Sequence, residues 1–408
     1  MSNSRTKENF GRFFILTITA VLIGLLVGAI DMIFGQGLLM IGEFRGQHWQ
    51  LILFLAVAGL VICYLYKHFG GKTSKGMGLI FDVGHEREQD IPLVLVPLIM
   101  LTTWMSHLFG GSVGREGVAV QIGATLSHRF SRYIKIPDGS RIFLMTGMAA
   151  GFAGLFQTPL AATFFALEVL TVGRLQVEAL YPALIASIVA SFTSHTLGLE
   201  KFAVPLTESL SWTPENLVKV ALIGLAFGLA GKLFALSLSW LKKEVAKWLP
   251  NPYIRIAVIG TGLSLILLIL QWTKIGSYSG LGTNLIDLAF QNTSANSYDW
   301  ILKLLFTVVT ISAGYQGGEV TPLFAIGATL GIFLAPIVGL PVLLTAAIGY
   351  AVVFGSATTT LFAPILIGGE VFGFSSLPFF LIASAVAYCL PKQWSIYSGQ
   401  KLAKKDSK

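Results

Sequence analysis

The sequence predicts an all-α polytopic membrane protein with broken, re-entrant helices, and three observations carry that expectation. Of 408 residues, 54% are hydrophobic and only 12% charged, with a mean hydropathy of +0.75; a soluble domain carries about twice that charge. The 44 glycines and 15 prolines would disrupt soluble helices, whereas membrane bundles use such residues at close helix contacts and at breaks. Third, one half of the chain repeats features of the other.

The apolar runs set the elements in order. Candidate full or partial spans lie at about 13–34, 51–66, 91–109, 142–157, 158–173, 178–198, 217–241, 254–272, 300–315, 341–354, 360–373 and 376–390. Several are too short to cross a bilayer alone. Apolar pieces at 117–127 and 322–338 follow glycine-rich segments and read as half-helices that start inside the membrane. The run at 13–34 is long enough to span and lacks a small-residue cleavage site, so it reads as an anchor.

Basic residues mark one side. Arg5, Lys7 and Arg12 precede the first span, while Lys401, Lys404, Lys405 and Lys408 follow the last. The connections near 67–90, 128–141 and 242–255 carry Lys67, Lys72, Lys75, Arg129, Arg132, Lys135, Arg141, Lys242, Lys243, Lys247 and Arg255. All three connections and both termini are expected to be cytoplasmic, in a plasma membrane, with 200–215 and 289–299 outside. The net charge of +8 therefore reads as topology and lipid contact, with no nucleic-acid role. The expected organisation is a single transmembrane domain over 1–408: a first repeat at about 13–200, a second at about 215–395, and tails at 1–12 and 398–408.

The repeat needs no gap when Gly147–Val169 slides onto Gly349–Val371. Gly147/Gly349, Ala149/Ala351, Phe152/Phe354, Thr158/Thr360, Ala161/Ala363, Glu168/Glu370 and Val169/Val371 coincide. Upstream, Ile122–Leu126 recurs as Ile326–Leu330, and the Gly-Gly-x-Val at Gly110 recurs at Gly317. Repeated halves with broken helices place a binding site near the midplane, where half-helix starts converge.

Helix starts carry unpaired N–H groups and partial positive charge, so such a site suits an anion. Glu116, after Arg115 and between Gly114 and Gly117, would present a tethered anion to the same donors. A carboxylate at membrane depth is a functional candidate by default. A free anion nearby favours protonation of the carboxylate and its departure, which makes the residue a gate. The structural alternative is a glutamate paired with Arg115 or capping its own half-helix.

On these residues the chain resembles the CLC family of chloride channels and proton-coupled anion antiporters. Gly114-Arg115-Glu116-Gly117, followed by Val118, matches the family's Gly-Lys/Arg-Glu-Gly-Pro motif, whose glutamate is the external gate. Gly76-Met77-Gly78-Leu79-Ile80 is similar to Gly-Ser-Gly-Ile-Pro, and Gly318-Glu319-Val320-Thr321-Pro322 to Gly-x-Phe-x-Pro. Tyr397 looks like the family's anion-coordinating tyrosine. The resemblance covers about 70–397 and implies a CLC-like inverted-topology repeat and a homodimer with one anion pathway in each subunit.

The departures point to one branch. Met77 stands in place of a serine and Val320 in place of a phenylalanine, and both Ile80 and Val118 replace prolines. A methionine in the first motif and a valine after the gate resemble the fluoride-exporting branch. Fluoride must be stripped of tightly held water by close donors; Met77 supplies no strong one, leaving backbone N–H groups and the Thr321 and Tyr397 hydroxyls. The expected function is a fluoride/proton antiporter that uses no cofactor, with a chloride/proton antiporter or a passive anion channel as alternatives.

The second proton-handling glutamate of chloride antiporters aligns with Val169, so that inner route is missing. Glu168 and Glu370 are expected to be a structural repeat pair. Glu319 is a candidate inner proton or ion partner, or else a helix-start glutamate satisfied by amides. His107, His128 and His195 lack helically spaced metal-ligand mates and read as packing or interfacial residues. Cys63 and Cys389 have no metal or redox spacing. No Ser/His, Asp/Asp or zinc constellation supports an intramembrane hydrolase, so an enzyme is not expected.

Overall fold

The computed structural model describes residues 2–206, 210–273, 277–291 and 295–403. Lys404, Lys405 and Lys408 lie outside them, and the side chains of Arg5 and Lys7 are likewise not described. The helices, in chain order, are α1 (Ser2–Gln47), α2 (Leu55–Leu65), α3 (Met77–Gly84), α4 (Leu95–Leu108), α5 (Glu116–His128), α6 (Gly139–Phe156), α7 (Pro159–Val169) and α8 (Leu180–Thr196), then α9 (Pro214–Trp248), α10 (Pro252–Trp272), α11 (Thr283–Gln291), α12 (Asp299–Ala313), α13 (Val320–Val338), α14 (Val342–Thr358), α15 (Phe362–Phe372) and α16 (Leu377–Tyr388). Among the described residues, 7 helical stretches are long and apolar enough to cross a bilayer.

Several elements differ from expectation. The run 13–34 is the middle of a 46-residue helix, which at about 1.5 Å per residue far exceeds the bilayer's hydrocarbon core. The connection 67–90 is not a plain loop; it holds short helical turns and α3. Helix α11 occupies part of the stretch that hydropathy left featureless. Its amphipathic pattern buries Leu285, Ile286 and Ala289, but at nine residues it is too short for a span-length hydropathy window to register. The segment after 397, expected as a tail, instead forms a two-residue parallel pairing of Lys401–Leu402 with Thr171–Val172.

Small residues let the two halves build the same core twice. Helix α5 packs on α6 with Gly123 against Gly147, and α13 packs on α14 with Gly327 against Gly349; a Cβ at any of the four would collide with a backbone carbonyl. This is the small-residue helix contact that membranes favour, because packing rather than water exclusion drives association there.

The breaks also correspond. Gln157 and Thr359, 202 residues apart, both take φ 57° and end α6 and α14. Left-handed non-glycine residues need compensating contacts. The Gln157 side-chain amide donates to Leu199 O at 2.5 Å, while Lys232 Nζ donates to Thr359 Oγ1 at 3.0 Å and to Ser356 O at 2.8 Å. Helices α7 and α15 then start, each capped from the opposite half. Glu168 accepts from the N–H groups of Leu361, Phe362 and Ala363 at 2.8–3.1 Å. Glu370 accepts from those of Leu160 and Ala161 at 3.0 and 2.8 Å.

Candidate functional site

Two glycine-rich segments, one from each half, meet in the core. Gly114 N–H donates to Gly318 O at 2.5 Å and Gly318 N–H donates to Gly114 O at 2.7 Å, an isolated antiparallel bridge. Glycine at both positions permits this approach, since a Cβ at 114 would strike Pro322 and the Gly318 carbonyl. The bridge sets the starts of α5 and α13 side by side.

The segment leading to α5 is fixed by a buried cation. Lys303 Nζ on α12 donates to Gly280 O at 2.7 Å, Ser112 Oγ at 2.9 Å and Tyr278 O at 3.3 Å. Gly280 N–H donates to Gly111 O at 3.0 Å. A fully buried ammonium is tolerated only with such a set of acceptors, and here they tie 111–112 to 278–280.

Glu116 is 1% exposed. Its Oε2 accepts the N–H of Thr321 at 3.1 Å and also the Thr321 hydroxyl, so the carboxylate rests on the first turn of the other half's helix. Arg115 Nε lies 3.5 Å from Oε1, but neither atom has a hydrogen-bond partner among the described residues. Thr321, rather than Arg115, is therefore its hydrogen-bonding partner.

On one side of this bridge opens a cavity of about 300 Å³ whose lining includes Met77, Gly78, Gln121, Lys242, Glu319 and Tyr397. Tyr397 is 5% exposed and its hydroxyl has no partner among the described residues, an unspent donor near the cavity. Its chain segment is held by Ile396 N–H donating to Ala357 O at 2.9 Å and by the Gln400 side-chain amide donating to Val169 O and Thr358 O at 2.8 and 2.9 Å. Glu319 joins cavity and bridge, with Oε2 3.7 Å from where a Cβ of Gly117 would project.

Two lysines line this cavity. Lys75 is spent on Asp82 at 2.9 Å and Glu88 at 3.5 Å. Lys72 and Lys75, by hydrogen bonding to Glu88, hold its carboxyl below the usual range. Lys242 has no carboxylate partner among the described residues.

The structure thus brings Glu116, Gly117 and Thr321 together at the bridge and Met77, Gly78, Glu319 and Tyr397 around the cavity. Val118 and Val320 are buried in the surrounding core. Glu168 and Glu370 sit apart, at the starts of α15 and α7. Sequence reasoning missed Gln121, whose amide donates to Gly117 O at 3.1 Å; its position on α5, five residues after Glu116, was the available signal. It also missed Tyr350, buried on α14 and stacked on Phe324 at 4.1 Å, and it read Lys242 only as a mark of sidedness.

The profile of voltage gated chloride channels matches residues 58–392. The chain belongs to the CLC-type voltage gated chloride channel family. A chloride/fluoride channel protein from Pseudomonas syringae pv. tomato is 36% identical over 94% of this chain and 85% of its own length. A ClcB-type chloride channel from Salmonella typhimurium is 25% identical over 76% of this chain and 74% of its own. The crystal structure of a CLC-type fluoride/proton antiporter superposes with a TM-score of 0.93 at 52% identity, covering 96% of this chain and 98% of that one. A slow cyanobacterial Cl⁻/H⁺ antiporter shares the fold at a TM-score of 0.79 and 20% identity. This CLC protein is accordingly a multi-pass membrane ion transporter with the family's inverted repeat.

Proposed function

We propose that this protein exports fluoride in exchange for protons, with Glu116 as the protonatable gate. The observation that carries the reading is the Glu116 carboxylate resting on the Thr321 N–H and hydroxyl at the start of α13. Those donors would receive a dehydrated anion equally well. A proton on Glu116 weakens its claim to them, an incoming anion takes the place, and each exchange thereby links a proton to an anion.

Fluoride as the anion is supported by the 52% identity to a fluoride/proton antiporter and by Met77 and Val118. In this reading Arg115, Gly117, Val118 and Val320 shape the seat of the gate. Met77, Gly78 and Tyr397 form the inner approach, and Glu319 is the inner proton or ion partner. Glu168 and Glu370 hold the halves together. We further take the halves to be about 13–200 and 215–395, the protein to be a homodimer with a pathway in each subunit, and both termini to face the cytoplasm of a plasma membrane. The description of the Pseudomonas syringae relative as a chloride/fluoride channel protein favours a second reading, a passive channel of broader anion selectivity.

Reconstitution in liposomes separates the two. With voltage set by an ionophore and a fluoride or chloride gradient imposed, anion and pH are followed together. Uphill proton movement driven by fluoride is expected. Anion flux that leaves the proton gradient untouched would establish the channel, and chloride moving as fast as fluoride would remove the fluoride assignment.

A further inference from the structure

The inner cavity shares part of its wall with a second cavity, of about 480 Å³, outside the site described above. Ser74, Gly314 and Gln316 line both. The second lies between the turns after α2 and the start of α10, and its lining includes Tyr66, Lys67, Tyr253 and Arg255.

Its charge is unbalanced. Lys67 Nζ stands 5.6 Å from the centre of the Tyr253 ring. Among the described residues, neither Lys67 nor Arg255 forms an ion pair. Arg255 Nε is buried without an acceptor among those residues, which is costly for a guanidinium N–H unless a ligand supplies one. The start of α10 is already capped, with Tyr253 N–H donating to Asn251 Oδ1 at 2.9 Å, so the two basic side chains carry the site. Two basic side chains and two tyrosines form a receptor for phosphate oxygens, with Arg255 able to donate in pairs.

The surroundings indicate how that phosphate is presented. On α2, Val57, Val61 and Tyr64 are exposed, and on α10 so are Ile254 and Val258, in helices that pack against each other. Apolar surface therefore flanks the basic cavity on both walls, a seat for acyl chains beneath a headgroup. A free phosphate ion would make no use of it.

We propose that this cavity binds the phosphate of an anionic phospholipid, held by Lys67 and Arg255, with its chains along α2 and α10. The proposal rests on the chain crossing a bilayer and not on fluoride exchange, so a binding readout tests it whether or not the transport reading stands.

The purified full chain in non-ionic detergent is titrated with phosphatidylglycerol or with phosphatidylcholine, and retained lipid is read by native mass spectrometry. Preferential retention of phosphatidylglycerol is expected. Lys67→Gln and Arg255→Gln are each expected to weaken it about fivefold, the equivalent of roughly 1 kcal/mol per cation at a headgroup surface. Lys243→Gln, an exposed cation on α9, is expected to leave it unchanged. Should the Gln variants fail to fold, Lys67→Arg keeps the charge and is expected to keep the preference, whereas Arg255→Lys, which loses the paired donors, is expected to weaken it. Equal retention of both lipids by the wild type, or a preference that survives loss of both cations, overturns the proposal. Displacement of phosphatidylglycerol by millimolar inorganic phosphate overturns the lipid as the source and assigns the site to the free ion.

Discussion

Glu116 and Glu168 are the same residue type, each buried, each reaching from the first half to a helix start in the second, yet their surroundings differ in one respect. Glu168 spends both oxygens on three consecutive backbone N–H groups of α15, and its counterpart Glu370 spends both on α7. Glu116 spends one oxygen on Thr321 and leaves the other without a hydrogen bond among the described residues. A saturated carboxylate that leaves strands several buried donors, at about 1–3 kcal/mol each. An unsaturated one that leaves vacates donors which an ion can fill. Saturation thus distinguishes Glu168 from Glu116, the gate of the proposed mechanism, where residue type, burial and helix-start placement do not.

The largest expected effect breaks the comparison at its centre. Glu116→Gln keeps the size of the side chain but cannot exchange a proton. In the liposome assay it is expected to abolish fluoride-driven proton movement while the protein stays folded, and full coupling in this variant would remove the gate assignment. Next comes Thr321→Val, which keeps the N–H and deletes the hydroxyl that contacts Glu116. A hydrogen bond to a charged group is worth about 1.5–3 kcal/mol, so apparent fluoride affinity is expected to weaken by tenfold or more, with Thr321→Ser restoring it. Unchanged affinity in Thr321→Val would mean that the anion does not use this seat.

The third variant tests the other member of the pair. Glu168→Gln turns an amide NH₂ toward backbone N–H groups and is expected to cost about 1–3 kcal/mol of stability, seen as a lower unfolding midpoint in detergent. The ratio of protons to anions in the folded fraction is expected to match wild type. A changed ratio with unchanged stability would place Glu168 in the proton path and dissolve the distinction drawn above.

The two glutamate classes were legible in the sequence to different depths. Glu116 was found because glycines surround a charge in an apolar chain, and Glu168 with Glu370 because the repeat superposes them. That Glu168 caps α15 and Glu370 caps α7, each across the halves, was not readable, since a repeat reports likeness between segments and not which copy a side chain reaches. The helix starts at 116 and 320 were visible as glycine-rich breaks, whereas their pairing through Gly114 and Gly318 depends on backbone bonds that leave no residue signature. Helix α11 was missed because it is only nine residues long, and the Lys401–Leu402 pairing because two residues carry no periodicity. Lys242 was legible as a charge, but nothing in one sequence distinguishes a lysine at a cavity from one at a lipid surface.

That ambiguity yields the smallest expected effect. Lys242 lines the inner cavity with Glu319, whereas its neighbour Lys243 is absent from that lining. An exposed charge acting over several ångströms in a high-dielectric opening contributes on the order of 1 kcal/mol, so Lys242→Gln is expected to reduce apparent fluoride affinity by about fivefold or less. The reduction should appear only for fluoride presented from the cavity side. It should also fade as ionic strength rises and the Debye length shrinks from about 10 Å toward 3 Å. Lys243→Gln carries the same loss of net charge and serves as the control. If the two variants weaken affinity equally, the effect belongs to the general surface potential, and the cavity's field owes nothing particular to Lys242. If only Lys242→Gln acts, an unpaired cation draws the ion inward while Lys75, tied to Asp82 and Glu88, does not, and the contrast between spent and unspent groups extends from the carboxylates to the lysines.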